Sequence, residues 1–411
     1  MKKNYILFFF ALLFSATMVA QNTAQGCDGS RYIDNIFSST DMTDGVQYGQ
    51  NVDGAGNDRA LLLDIFEPSG DTQEERPLII LAHGGSFIFG DRTQMHDICE
   101  YFALKGYVAA TMDYRYWQFA QGFPDSLGIL DVVVKSVHDM RAAVRFMRDD
   151  AVNGNNTYRI DPNQIFVGGL SAGGIMACQT AIMDAEDDIP QFIWDIIDEN
   201  GGMEGDSGTP EMSSAVQGVV NMSGGLYRAE WMDTNDPPIL SMHGTADGTV
   251  PYGFGIANDI MSINGSGNVH LEAEAAGVAN YLVTVPDGGH TDIYTDPQYA
   301  ASQDEWDTAG MAFLETILCG LTNTTETDLT TITVQIAPNP AFETAKISVL
   351  NTTQSYDIQV FDQLGRSVFT ALNQSDSTFE LSKNKVGTGL FFVRVRLADG
   401  TSAVSQSILF E

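Results

Sequence analysis

The sequence predicts an α/β unit with a mainly parallel sheet and helices on both faces, followed by a small all-β domain. Three observations carry this. From Arg59 to Leu318, apolar strand-like runs alternate with helical patterns, which is how a parallel sheet covered by helices is built. LTNTTETDLTT, at 321–331, then breaks the alternation with a threonine-rich stretch that has no apolar period. Beyond it lie only short alternating strands between Asn, Gly, Asp and Ser turns, the pattern of a β-sandwich.

The elements follow in order. Residues 1–20 carry two lysines, an apolar run and small residues ending at Ala20, the layout of a signal peptide cleaved near Ala20. The run Tyr5–Phe14 is too short to span a bilayer and no later segment stays apolar long enough, so no stable membrane insertion is expected. The expected division is therefore a signal peptide at 1–20, an α/β domain at 21–320, a linker at 321–331 and a β-sandwich at 332–411. Strands are expected in ALLLDIFEP, RPLIILAHGG, GYVAATMDYR, IFVGGLSAGG, GVVNMSGG, PPILSMHGTAD and ANYLVTVPDGGH. Helices are expected around Gln94–Leu104, Ser136–Asp149, Gly174–Met183, Phe254–Ile263 and Glu305–Leu318. Residues Ala185–Ser214 interrupt the pattern with DAEDD, a short amphipathic stretch and a glycine-rich tail. They read equally as a lid and as a surface excursion.

Charge and cysteines narrow the function classes. The net charge is −34, held almost wholly by 21–331, and no Lys or Arg occurs between Arg228 and Lys346. Such a surface repels nucleic acid and anionic membranes, so no nucleic-acid partner is expected. Export makes Cys27, Cys99, Cys178 and Cys319 disulfide candidates. Three full pairings are open, and Cys99 and Cys178 in apolar helical patterns also suit buried free thiols. No Cys/His spacing suggests a metal, and no cofactor is expected.

The chemistry centres on IFVGGLSAGG, Ile165–Gly174. Glycine packs nothing and is costly to order, so four of them around Ser171 need a reason. Gly169-Leu170-Ser171-Ala172-Gly173 matches G-x-S-x-G, the sharp strand-to-helix turn that exposes a serine beside a helix N-terminus. A serine nucleophile needs a base, and the base needs an orienting group. His96 and His138 sit in helical patterns, and His270 opens a polar segment. His290, in VPDGGHTD, follows the last strand of the unit, where a loop reaches back over the serine. Asp247, in HGTADGTVP, follows the strand before it. The order Ser171, Asp247, His290 makes a triad with Asp247 as the orienting carboxylate. HGGS, at His83–Ser86, supplies glycines whose N–H groups face the site unobstructed, so Gly84 and Gly85, with Ala172, are the expected oxyanion donors. His83 is read as shaping this loop. Trp117 and Phe119, in YRYWQFAQGF, are expected to line an apolar substrate pocket.

On these residues the segment from about Arg59 to Leu318 resembles an α/β-hydrolase of the carboxylesterase, hormone-sensitive-lipase-like kind. HGGSFIFGD, the DYR of Asp113–Arg115, GLSAGG, HGTADGTVP and DGGH carry the resemblance. It departs from the family in reading HGGS rather than HGGG. The resemblance implies a serine carboxylic-ester hydrolase acting through an acyl-enzyme on a small-molecule or polymer-linked ester. A secreted serine peptidase on the same fold, and a non-catalytic adhesin derived from a hydrolase, remain the alternatives. APNPAF (337–342), YDIQVFDQLGRSV (356–368) and VGTGLFFVRVRLADG (386–400) resemble the type A sorting domain of the type IX secretion system. That implies the outer-membrane secretion machinery as partner of 332–411, and a secreted or cell-surface enzyme delivered through the periplasm.

Overall fold

A computed structural model describes residues 26–118, 122–209, 211–257, 260–319, 333–350, 352, 354–362, 367–397 and 403–410. The expected signal peptide, the linker and Phe119 lie outside the described residues. In chain order the first unit runs β1 (Thr40–Val52), β2 (Asp58–Pro68), β3 (Arg76–Ala82), α1 (His96–Ala103), β4 (Val108–Met112), α2 (Ser126–Val152), β5 (Ile160–Leu170), α3 (Ala172–Ile182) and α4 (Gln191–Glu199). It continues with β6 (Gly218–Met222), β7 (Gly225–Leu226), β8 (Ile239–Gly244), β9 (Phe254–Ala257), β10 (Met261–Gly265), α5 (Ser266–Ala276), β11 (Asn280–Val285), α6 (Ala300–Glu305) and α7 (Met311–Cys319).

Eight strands form one sheet in the order β1-β2-β4-β3-β5-β6-β8-β11. The pairs β1–β2 and β2–β4 are antiparallel, and the rest are parallel. All of RPLIILA in β3 is buried, as expected of a central parallel strand covered on both faces. Leu78 and Ile80 enter one core with α2 and α3. Ile79 and Leu81 point the other way, into a core shared with α1 and α7.

Several elements differ from the sequence expectation, among them α5, which forms where no helix is expected, and α2, which starts well before Ser136. β1 has too many polar residues for a recognisable strand, and as an edge strand with two register shifts it leaves most of them exposed. Phe254–Ile263 is a hairpin of β9 and β10, not a helix. Its residues alternate in burial along β10, a period of two, and Gly253 and Gly255 weigh against a helix. The final helical pattern is split by a π-helical turn at Trp306–Gly310.

The described residues of 185–214 pack onto the unit through α4. Ile193 and Ile197 of α4 enter the core, and arginines of α2 hold the chain before and after α4. Arg141 donates to the carbonyls of Met183 and Met203, Arg145 to that of Ser207 at 2.7 Å, and Arg148 to that of Ala215 at 2.6 Å. A disulfide joins Cys27 to Cys319, while Cys99 and Cys178 are buried free thiols.

The second unit comprises β12 (Thr333–Ala337), β13 (Thr344–Leu350), β14 (Tyr356–Asp362), β15 (Ser367–Gln374), β16 (Thr378–Ser382), a short α8 (Lys383–Val386), β17 (Gly389–Leu397) and β18 (Ala403–Phe410). It forms two antiparallel sheets, β12-β13-β16 and β15-β14-β17-β18. Val334, Ile347, Ile358 and Val393 share its buried core.

Candidate active site

Ser171 sits between the last residue of β5 and the first of α3, with φ 58° and ψ −117°. A non-glycine residue rarely adopts such angles, and where it does the strain belongs to the local design. Its neighbours hold it there: its N–H donates to the Met222 carbonyl at 2.8 Å, and its carbonyl accepts from Ile175 at 3.0 Å. The flanking glycines answer to space. A Cβ at Gly173 would fall 2.0 Å from the Ala82 oxygen, and one at Gly169 would fall 2.5 Å from the Gly173 backbone. The turn therefore packs against the end of β3 only because both positions are bare.

β5, β8 and β11 run parallel within the sheet, so their C-terminal ends share one edge. Ser171, Asp247 and His290 all follow those ends. Ser171 Oγ lies 2.8 Å from His290 Nε2, and His290 Nδ1 lies 2.7 Å from Asp247 Oδ2. The carboxylate assigns the proton: Nδ1–H donates to Asp247, which leaves Nε2 to accept from the serine hydroxyl. Asp247 Oδ1 accepts from the backbone N–H groups of Thr249 and Val250 at 2.8 and 3.0 Å. Burial pushes the Asp247 carboxyl up, but hydrogen bonds and charge from His243 and His290 outweigh it and hold the group well below the usual carboxylate range. The His290 loop is tied down as well, its carbonyl accepting from Ser223 Oγ at 2.8 Å, and that hydroxyl lies 2.8 Å from the Tyr294 hydroxyl.

The loop after β3 runs alongside this turn. A Cβ on Gly84 would stand 3.3 Å from Ser171 Cβ, and Gly85 has φ 117°, with Ser86 and Phe87 also at positive φ. Ala172 opens α3, where the first N–H groups of a helix lack intrahelical partners. His83 braces the loop: its ring stacks on Tyr114 at 4.3 Å, and its carbonyl accepts from the Tyr114 hydroxyl at 2.9 Å.

A cavity of about 30 Å³ opens beside Ser171, lined by Phe87, Ile129, Ile175, Val250, Ala257 and Met261 among others. Trp117 is not one of its lining residues. Its indole N–H donates to the Gly122 carbonyl at 2.7 Å and its ring packs on Gly128, so its side chain supports the start of α2. The apolar wall comes instead from the β9–β10 hairpin and α3. Sequence reading also passed over His243, whose Nε2 lies 3.1 Å from Asp247 Oδ2. Its place four residues before Asp247, in HGTAD, was the available signal. The remaining histidines lie elsewhere: His96 contacts Asp64, His270 contacts Asn280, and His138 is fully buried, with burial and nearby arginines pushing it down to about 3.

Residues 63–227 match the family described as BD-FAE, and residues 335–410 match the secretion system C-terminal sorting domain. The quorum-quenching protein AidA of Acinetobacter baumannii is 31% identical over 121 residues, which cover 29% of this chain and 35% of that protein. The esterase LipC of Mycobacterium tuberculosis is 25% identical over 219 residues, covering 48% of this chain and 50% of that one. The chain thus spans a third to a half of the length of these curated relatives. Among solved structures, a propionate-bound esterase from Thermogutta terrifontis aligns at 22% identity over 66% of this chain and 95% of its own, with TM-score 0.47. The chain thus carries a stretch that matches the BD-FAE family and, after it, one that matches the secretion system C-terminal sorting domain.

Proposed function

We propose that the α/β unit is a serine carboxylic-ester hydrolase. The observation that carries the reading is the unbroken chain from Ser171 Oγ to His290 Nε2 at 2.8 Å and from His290 Nδ1 to Asp247 Oδ2 at 2.7 Å. His290 takes the hydroxyl proton as Ser171 Oγ attacks the ester carbonyl, and Asp247 stabilises the imidazolium that forms. Backbone N–H groups of Gly84, Gly85 and Ala172 hold the oxyanion of the tetrahedral intermediate. Collapse breaks the ester C–O bond, and His290 returns the proton to the departing alcohol. Water, deprotonated by His290, then attacks the acyl-enzyme, releasing the acid and restoring Ser171. These steps call on no metal or cofactor.

The small apolar cavity beside Ser171 suits a short acyl group, with the alcohol portion, free or polymer-linked, towards solvent. A curated relative bearing the name esterase is consistent with this. The sorting domain hands the enzyme to the outer-membrane secretion machinery after passage through the periplasm, giving a secreted or surface-held enzyme. The test is turnover of p-nitrophenyl esters of increasing acyl length, acetylated and feruloylated xylan, and aminoacyl amides, with Ser171→Ala as control. Serine-dependent cleavage of short esters is expected. Cleavage confined to amides would assign a peptidase, and no turnover of any substrate would favour a non-catalytic surface protein.

A further inference from the structure

The buried carboxylate of Asp247 has a second histidine on it. His243, in β8, is fully buried, and its Nε2 lies 3.1 Å from Asp247 Oδ2 and 3.0 Å from the Val250 carbonyl. Both neighbours are acceptors, so Nε2 carries the hydrogen. The other nitrogen is fixed in the complementary role. Nδ1 lies 2.7 Å from Ser266 Oγ, which accepts from Asn221 Nδ2 at 3.0 Å, and the Ser266 hydroxyl hydrogen goes to Nδ1 as the nearer acceptor, the Gly224 carbonyl lying 3.5 Å away. The tautomer is therefore set by a chain, Asn221 to Ser266 to His243 to Asp247, that begins on β6 and α5.

The consequence lies in how Asp247 is shared. Oδ1 is occupied by two backbone N–H groups, and Oδ2 takes both His290 Nδ1 and His243 Nε2. With four donors the carboxylate has no rotational freedom left. Every donor besides His290 also draws negative charge away from it.

We propose that His243 is a positioning residue for the hydrolysis, orienting Asp247 and limiting how strongly it stabilises the imidazolium of His290. The proposal rests on the reading of Ser171, His290 and Asp247 as nucleophile, base and orienting carboxylate. Without the His243 N–H, Oδ2 answers to His290 alone, the imidazolium becomes more stable, and the base stays protonated to higher pH. Tyr252 lies edge-on to His243, Tyr294 lies beside Ser223, and Asp287 and Asp292 flank His290 in sequence. The substitutions below leave all four unchanged.

The experiment compares His243→Phe and His243→Gln with the parent chain, reading kcat and KM across pH on a p-nitrophenyl ester together with the unfolding temperature. His243→Phe keeps the ring's bulk without a donor. Its kcat is expected to fall about 10- to 100-fold, the scale of a misplaced catalytic group, with KM little changed. The acid limb of kcat/KM should move up by roughly half to one pH unit as the carboxylate's charge concentrates on His290. His243→Gln, whose amide presents an N–H at the Nε2 position, should recover most of both. An acid limb superimposed on the parent's in a folded His243→Phe protein would overturn the proposal. Should His243→Phe fail to fold, ¹⁵N-histidine NMR of the parent decides: the Nε2–H tautomer at His243 is expected, and an Nδ1–H tautomer would overturn the proposal, since it offers Asp247 no proton. Covalent labelling of Ser171 by a fluorophosphonate separates the two ideas. Absent labelling defeats the hydrolase reading itself, whereas intact labelling with an unmoved limb defeats only the role of His243.

Discussion

Ser171 Oγ and His290 Nε2 stand 2.8 Å apart although 119 residues separate them in sequence. The sheet closes that gap. β5 and β11 lie on either side of β6 and β8 with all four strands parallel, so the residues that follow their ends meet at one edge.

On the hydrolase reading, the wall of the cavity is expected to set acyl length. Ile175 and Met261 line both the cavity at Ser171 and a second apolar one of about 20 Å³ reaching Val137, Met183, Ile193 and Trp231. Met261→Ala is expected to open one into the other. The kcat/KM ratio of octanoate to acetate esters is expected to rise about tenfold or more, the scale of a few methylenes accommodated in an apolar pocket. Stability should fall by about 2–3 kcal/mol, the ordinary cost of such a truncation. Trp117→Ala should leave the ratio unchanged; a changed ratio there, with none in Met261→Ala, would move the pocket to the Trp117 loop.

The Cys27–Cys319 disulfide joins residues 292 apart, one near each end of the α/β unit. Long closures restrict the unfolded chain most, and removal is expected to cost about 3–5 kcal/mol. Calorimetry of Cys27→Ser together with Cys319→Ser should show a lower unfolding temperature with kcat retained at 25 °C. Cys99 and Cys178 should resist alkylation until the protein unfolds, since both are buried and burial pushes their thiols up.

Two acidic loops face each other at 184–188 and 233–236. Burial, together with neighbouring aspartates, pushes Asp187 up to about 6 and Asp236 up to about 7. Each holds its proton more tightly folded than unfolded, where an aspartyl group titrates near pH ~4. Their contribution to stability is therefore complete below that value and declines as pH rises through 6 and 7. Asp236→Asn should raise the unfolding temperature at pH 8 more than at pH 5, and an equal shift at both would contradict this. Asp247 has the opposite sign, its contribution being lost as pH falls below the usual carboxylate range.

The sorting domain has its own buried core and its sequence contains no histidine, so it supplies no base. A chain ending at Leu321 should keep near-full esterase activity in vitro while staying in the periplasm of its host. Normal release of the shortened chain would remove the sorting role, and loss of activity would make the tail part of the catalytic unit.

Much of this fold was legible because its central strands, such as RPLIILA, are buried on both faces and read as unbroken apolar runs. The turn at Ser171 was legible because its geometry excludes side chains at Gly169 and Gly173. β1 was not, since an edge strand needs no apolar period. The β9–β10 hairpin was misread because its apolar residues also fall at helical spacing, and only the pairing of Met261 with Ala257 decides between the two. Trp117 packs on Gly128 rather than on the cavity, a choice between apolar neighbours that residue spacing does not make, and the partnership of His243 with Asp247 had only the four-residue spacing in HGTAD as its signal.

The most direct test of the hydrolase reading is peptide mapping by mass spectrometry after treating the full-length protein with a fluorophosphonate. A single adduct on Ser171 is expected, absent from Ser171→Ala and formed far more slowly in His290→Ala. Ester turnover should fall on the order of 10⁴-fold in either variant, as for groups that act as one unit. An adduct on another residue, or a Ser171→Ala protein that still hydrolyses esters at the parent rate, would contradict the account.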